Sequence, residues 1–131
     1  MPRKPSRKTI VKKLDTIFSK YVRLKDADFK GNCICVTCGK SYYWKEIQAG
    51  HFISRKHYST RWDERNVKPQ CYSCNVMRYG EQYKYSKYLG IELSEDLLNL
   101  SYKIVKFSNP ELIEMTLTYN KLVQELEMSY I

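Results

Sequence analysis

Apolar residues recur at three- and four-residue intervals from Ile10 through Leu14, Ile17, Phe18 and Tyr21 to Val22. That spacing places them on one helical face and predicts a helix over residues 8–30, ending before Gly31. Lys12, Lys13, Lys20 and Arg23 fall on its other positions, so the helix is apolar on one side and basic elsewhere. Residues 1–7, with two prolines and three bases, read as a loose basic arm. Tyr42-Tyr43-Trp44 and Phe52-Ile53 suit short strands, with a turn near Gln48-Ala49-Gly50. Residues 54–68 are polar and basic and read as an irregular loop. A shorter helix is expected from about Cys71, just after Pro69, to about Gly80.

The remaining residues, 81–131, are helical by pattern. Ser94 is placed to cap a helix carrying Glu95 and Asp96 in its first turn, where acids are favourable. Leu97, Leu98, Tyr102, Ile104 and Val105 are its apolar members. Asn109-Pro110 signals another start, and Leu112, Met115, Tyr119, Leu122, Val123 and Leu126 trace a stripe beyond it. The fold class expected is α+β: a small central core flanked by an N-terminal helix and C-terminal helices. With 131 residues and 15.7 kDa there is room for one domain.

Hydrophobic types make up 43% and charged types 28%, which is not the composition of a disordered chain. No apolar run approaches the length of a membrane span. Met1-Pro2-Arg3-Lys4 is basic but leads into no apolar stretch, so no export signal is expected and the five cysteines should meet the reducing cytoplasm. The net charge of +9 is uneven: +7 over residues 1–30, +5 over 31–80 and −3 over 81–131. A basic front two-thirds suggests a polyanionic partner, although charge alone does not separate DNA from RNA or from an anionic membrane.

Cys35-x-x-Cys38-Gly39 and Cys71-x-x-Cys74 supply four thiolates in two pairs, and tetrahedral zinc takes four such ligands. Iron–sulfur ligation would use the same sulfurs, but nothing else in the chain suggests electron transfer. Cys33 is either a spare thiol or a substitute for Cys35. A closed zinc site explains folding and not catalysis.

Between the pairs lie Ala49-Gly50-His51-Phe52 and Arg61-Trp62-Asp63-Glu64-Arg65-Asn66, and Asn75 follows the last cysteine. Zinc clamping would lay the segment bearing Asn75 across the strand bearing His51. Hydrolysis of a phosphodiester needs a base for water and a cation to screen the phosphate. His51 is the candidate base and Asn75 a candidate oxygen ligand for Mg²⁺ or Mn²⁺. Asn66 is placed to organise the loop, and Asp63 either joins His51 and Asn75 around the ion or pairs with a neighbouring arginine. Arg55, Lys56, Arg61, Arg65, Lys68 and Arg78, with Lys12 and Lys13, are candidate phosphate contacts.

The run from Cys35 to Asn75 resembles the HNH, or ββα-metal, nucleases, with His51, Asn66 and Asn75 at the three signature positions. The motifs from Cys35 to Gly39, Ala49 to His51, Arg61 to Asn66 and Gln70 to Asn75 are more closely similar to the NinG-like, or Rap-like, phage recombination proteins. That resemblance implies a zinc-clamped, treble-clef-like HNH core over residues 33–80. It also implies a Mg²⁺- or Mn²⁺-dependent endonuclease of branched DNA such as Holliday junctions, working in a host cytoplasm. Gly50 departs from the broader HNH pattern, which often has an aspartate before the histidine, and leaves the first ligand of the catalytic ion unassigned. A zinc-dependent nucleic-acid-binding module without catalysis, or a non-specific HNH nuclease, is the alternative. Paired cutting of a junction needs two sites, so a homodimer is expected, with the stripe from Leu112 to Leu126 as its interface.

Overall fold

The Ser6 hydroxyl accepts a hydrogen bond from the Thr9 amide and starts α1, which spans Arg7–Lys25 in a computed structural model describing residues 3–129. Met1 and Pro2 of the expected arm lie outside the described residues. Ile10, Leu14, Phe18 and Val22 are buried, so the stripe read from their spacing is the face α1 presents to the core. The far partner is α5, Asn109–Met128, which packs along α1. Arg7 donates to Asn109 at one end and Lys20 pairs with Glu127 at the other, so the two helices run parallel. Parallel neighbours cannot be joined by a tight turn. Everything between them forms the crossover, and it carries the chemistry.

β1, Asn32–Ile34, pairs antiparallel with β2, Ser41–Tyr43. β3, Gln48–His51, pairs antiparallel with β4, Val67–Gln70, placing His51 opposite Val67 and Gly50 opposite Lys68. The segment expected as a loop over 54–68 therefore ends in a strand, and before it holds a helical turn, α2 at Tyr58–Arg61, and a 3₁₀ turn at Glu64–Asn66. Gln48-Ala49-Gly50 is strand and not turn, and Phe52 lies just past its end. The helix expected over 71–80 is one wide π-type turn, Ser73–Met77. It stops because the Gly80 amide closes back onto the Cys74 carbonyl at 2.8 Å, with Tyr79 and Gly80 both at positive φ.

α3, Gln82–Leu89, and α4, Ile91–Ser101, follow. α4 begins three residues before Ser94, which lies within its first turn and donates its hydroxyl to the Ser86 carbonyl. α5 is capped by Ser108, one residue before the expected Asn109: Ser108 and Glu111 bond each other's backbone amides in a capping box. No helix among the described residues is long and apolar enough to cross a membrane.

Two cores result. Trp62 and Val67 join the buried residues of α1 and Leu112 of α5 in the first. The second is small and consists of Cys33, Cys35, Cys71, Cys74 and Ile47, flanked by Tyr42 and Trp44. Leu112 and Val123 are buried, Met115 and Tyr119 pack on the α1 core, and Tyr119 stacks on Phe18 at 5.1 Å. The stripe offered as a dimer interface is thus largely spent on α1. Leu122 and Leu126, further along the stripe, are half-buried.

Candidate functional site: a sulfur cluster beside a basic cavity

The knuckle between β1 and β2 carries Cys35 and Cys38, and the turn after β4 carries Cys71 and Cys74. Their four sulfurs lie within 4.8 Å of one another. A tetrahedral ion with Zn–S bonds of about 2.3 Å separates its sulfurs by about 3.8 Å. Cys38 and Cys71 stand 3.8 Å apart, so the geometry fits zinc. The Cys71 amide points at Cys35 Sγ, 3.3 Å away. Burial opposes ionisation of Cys35, but amide hydrogen bonds from Cys71, Cys38 and Thr37 outweigh it and bring that thiol down to about 6. Burial drives Cys74 the other way, to about 12, with the neighbouring sulfurs adding. Four thiolates this close need a cation among them. Cys33 stands outside the cluster: it is fully buried, its thiol donates to the Arg23 carbonyl at 3.0 Å, and burial pushes it up to about 11.

The same turn delivers Asn75 to the end of β3. Asn75 Nδ2 donates to Gln48 Oε1 at 2.8 Å, and Asn75 and His51 both line a cavity of about 600 Å³. His51 Nε2 lies 2.9 Å from the Arg61 carbonyl. A carbonyl only accepts, so Nε2 carries the proton and Nδ1 presents a lone pair. Burial, helped by the Arg55 and Arg61 charges, lowers the imidazole from 6.5 to about 4. His51 is therefore neutral near pH 7.

Arg61 is itself held. Its Nε donates to Asp15 Oδ1 at 3.0 Å and its Nη2 to Oδ2, while Trp62 Nε1 also donates to Oδ1 at 3.0 Å. Asp15, on α1, thereby fixes Arg61, whose carbonyl orients the histidine, and its neighbour Trp62. Sequence reasoning missed Asp15. The signal was present, since Lys8, Lys12, Asp15, Ser19 and Arg23 share a helical face and only one of them is acidic.

Asn66 is fully buried and joins both ends of the loop: Oδ1 accepts from the Ile53 amide at 2.7 Å, and Nδ2 donates to the carbonyls of Ile53 and Thr60. Asp63 is not brought to the cavity. Its carboxylate is taken by the Arg65 amide and guanidinium, so Arg65 is tied as well. Glu64 accepts from Tyr21 and Lys25. Arg61 is hydrogen-bonded to Asp15 and to the Arg55 carbonyl while lining the cavity that holds His51.

Arg55 does line the cavity, as do Arg23 and Lys45, neither of which was expected there. A groove of about 730 Å³ continues from it along α1 past Lys12, Lys8 and Arg7. Lys13 faces a different cavity, shared with Thr116 and Asn120 of α5. Lys56 and Arg78 are exposed, Arg78 lying 3.8 Å from Glu81, and Lys68 is half-buried on β4.

The glycine before His51 has a steric cause. A Cβ on Gly50 would overlap Gln70 Oε1 and stand 2.8 Å from Gln70 Cβ. Gln70 cannot easily yield, being fully buried with Nε2 donating to the Gly80 carbonyl at 2.8 Å and to Thr37 at 3.1 Å. Gly50→Ala should cost about 1–3 kcal/mol by overpacking, and Gly50→Asp more. Urea melts of the zinc-loaded proteins measure this, and an aspartate variant as stable as the parent would refute it.

Fold and cluster together define a small mixed α+β domain with a four-cysteine site of zinc type. The family model described as Bacteriophage Lambda NinG protein matches residues 3–129, and the chain belongs to that family. Neither the curated proteins nor the solved structures give a match.

Proposed function

We propose that this protein is a metal-dependent DNA endonuclease that hydrolyses phosphodiester bonds in branched recombination intermediates such as Holliday junctions. The observation that carries the reading is the pairing of His51, whose Nε2–H is held by the Arg61 carbonyl so that Nδ1 is unprotonated, with Asn75 in one cavity at the end of a basic groove. Family membership supports a phage setting, and the groove supports a nucleic-acid backbone.

The DNA backbone lies along α1, where Arg7, Lys8 and Lys12 neutralise phosphates and Arg55 and Lys45 receive the scissile one. His51 Nδ1 takes the proton from the attacking water, and its Nε2–H stays on the Arg61 carbonyl, so the developing imidazolium keeps one satisfied donor. With Nδ1 of His51 used as the base, Asn75 Oδ1 is the protein donor that would hold Mg²⁺ or Mn²⁺, and when bound this ion would supply charge to the phosphate. A hard ion accepts so few protein ligands where water and phosphate oxygens complete its shell. Asp63 has no part in it. Two incisions on a junction take two sites, so the working species is a homodimer, using a surface other than the α5 stripe. The reducing host cytoplasm, where the thiols stay available for zinc, is its place of action.

The test is zinc-loaded protein with a labelled four-way junction, a linear duplex and a single strand, each with Mg²⁺, Mn²⁺ or no added divalent ion. Junction strands should be nicked in the presence of either ion. Binding without strand loss under every condition would leave a nucleic-acid-binding module in place of an enzyme.

A further inference from the structure

A second cavity, of about 520 Å³, shares His51, Ser54 and Asn75 with the basic one but has a different character. Phe52, Tyr79, Leu98 and Tyr102 give it aromatic and apolar walls, and His57 and Gln82 stand at its edges. Tyr79 is 90% exposed and Tyr102 73%, an unusual outlay of aromatic surface on so charged a chain. Tyr79 is also rigidly mounted. It sits at φ 55°, a left-handed conformation disfavoured for a bulky residue by about 1–2 kcal/mol. The next residue, Gly80, is pinned at both ends, its amide on the Cys74 carbonyl at 2.8 Å and its carbonyl on Gln70 Nε2 at 2.8 Å. The backbone beside Tyr79 is thus fixed by the four-cysteine turn and the buried glutamine, and the exposed Tyr79 ring lines the cavity.

We infer that this cavity accepts one unstacked nucleobase of the DNA strand whose scissile phosphate lies at His51, with Tyr79 as the stacking platform. The inference deepens the nuclease reading and rests on it for the position of the phosphate. A base is the occupant because the two cavities meet at His51 and Asn75: a strand with its phosphate among Arg55 and Lys45 has its adjoining base beside the aromatic walls. A π-face stacks on any base, while His57 and Gln82 offer hydrogen bonds to its edge. In an intact duplex that edge is paired and the base is stacked within the helix. Bases at branch points and in unpaired stretches are cheap to extrude, so the cavity favours such sites without reading sequence.

Fluorescence anisotropy without added Mg²⁺ tests this, comparing a duplex containing a short bubble with a fully paired duplex of the same flanks. Tyr79→Leu keeps apolar bulk and the left-handed backbone but has no π-face. It should weaken bubble binding about 5- to 150-fold, the range for losing one base–aromatic stack, and leave duplex binding within about twofold. Tyr79→Phe should match the parent. A 2-aminopurine in the bubble should lose emission on binding the parent and keep it with Tyr79→Leu. Equal losses on both DNAs, or none on either, in a variant that retains its zinc would overturn the assignment. Because binding is read without cleavage, a protein that binds bubbles through Tyr79 yet never cuts would sink the nuclease reading alone.

Discussion

Protein stripped of zinc should lose its folded centre, from β1 through Gly80, and with it the cooperative melt. The second core holds little besides sulfur: four of its five buried members are cysteines, three of them in the cluster. The strands beside it are three or four residues long, and pairs that short are not stable alone. Zinc binding to such a site contributes about 10–16 kcal/mol, as much as or more than the whole stability of a typical domain. Cys74→Ser should have the same effect, since it also frees the turn that delivers Asn75. Cys33→Ser should cost only about 1 kcal/mol, because a hydroxyl can make the same bond to the Arg23 carbonyl. Elemental analysis should return one zinc per chain. Near-ultraviolet circular dichroism that survives a strong chelator would contradict this account.

The parts legible in the sequence are those in which local pattern and long-range structure agree. The α1 stripe is buried as its spacing implied, and the two Cys-x-x-Cys pairs converge because each pair turns the chain on itself. The helix expected over 71–80 is shorter and wider, a π-type turn over Ser73–Met77, for a reason of the same kind. Turning the sulfurs of Cys71 and Cys74 into the four-cysteine cluster, together with the closure by Gly80, imposes a wide turn where composition alone suits a helix. β4, Val67-Lys68-Pro69-Gln70, was illegible because its burial owes nothing to alternation: Gln70 is buried to bond Gly80 and Thr37, and Tyr85 reaches across to the Gly50 carbonyl at 2.7 Å. Asp15 was hidden by distance along the chain. Its partners Arg61 and Trp62 come from the far side of the crossover, and until the fold joins them an acid on a basic helix looks like solvated surface.

Under the nuclease reading, His51→Ala should lower the cleavage rate by about 10²- to 10⁴-fold while zinc content and junction affinity stay near those of the parent. His51→Gln should not recover the rate. Its amide can donate to the Arg61 carbonyl in place of Nε2–H, but it brings no nitrogen lone pair to the position of Nδ1. The two variants thus separate the structural bond from the base. Asp15→Asn should fall between parent and His51→Ala, because it loosens Arg61 without removing the imidazole. Stability gives a second readout that needs no substrate. The folded imidazole titrates near 4 and the unfolded one near 6.5, so between these values the unfolded chain binds the extra proton. Acidification through that window should cost the parent about 3 kcal/mol that His51→Ala and His51→Gln do not lose. The difference between parent and variant denaturation curves isolates it from the acid sensitivity of the zinc thiolates, which all three proteins share. A parent whose stability tracks the variants across the window would mean that His51 is solvated, and a solvated histidine would not be the oriented base that the cavity implies.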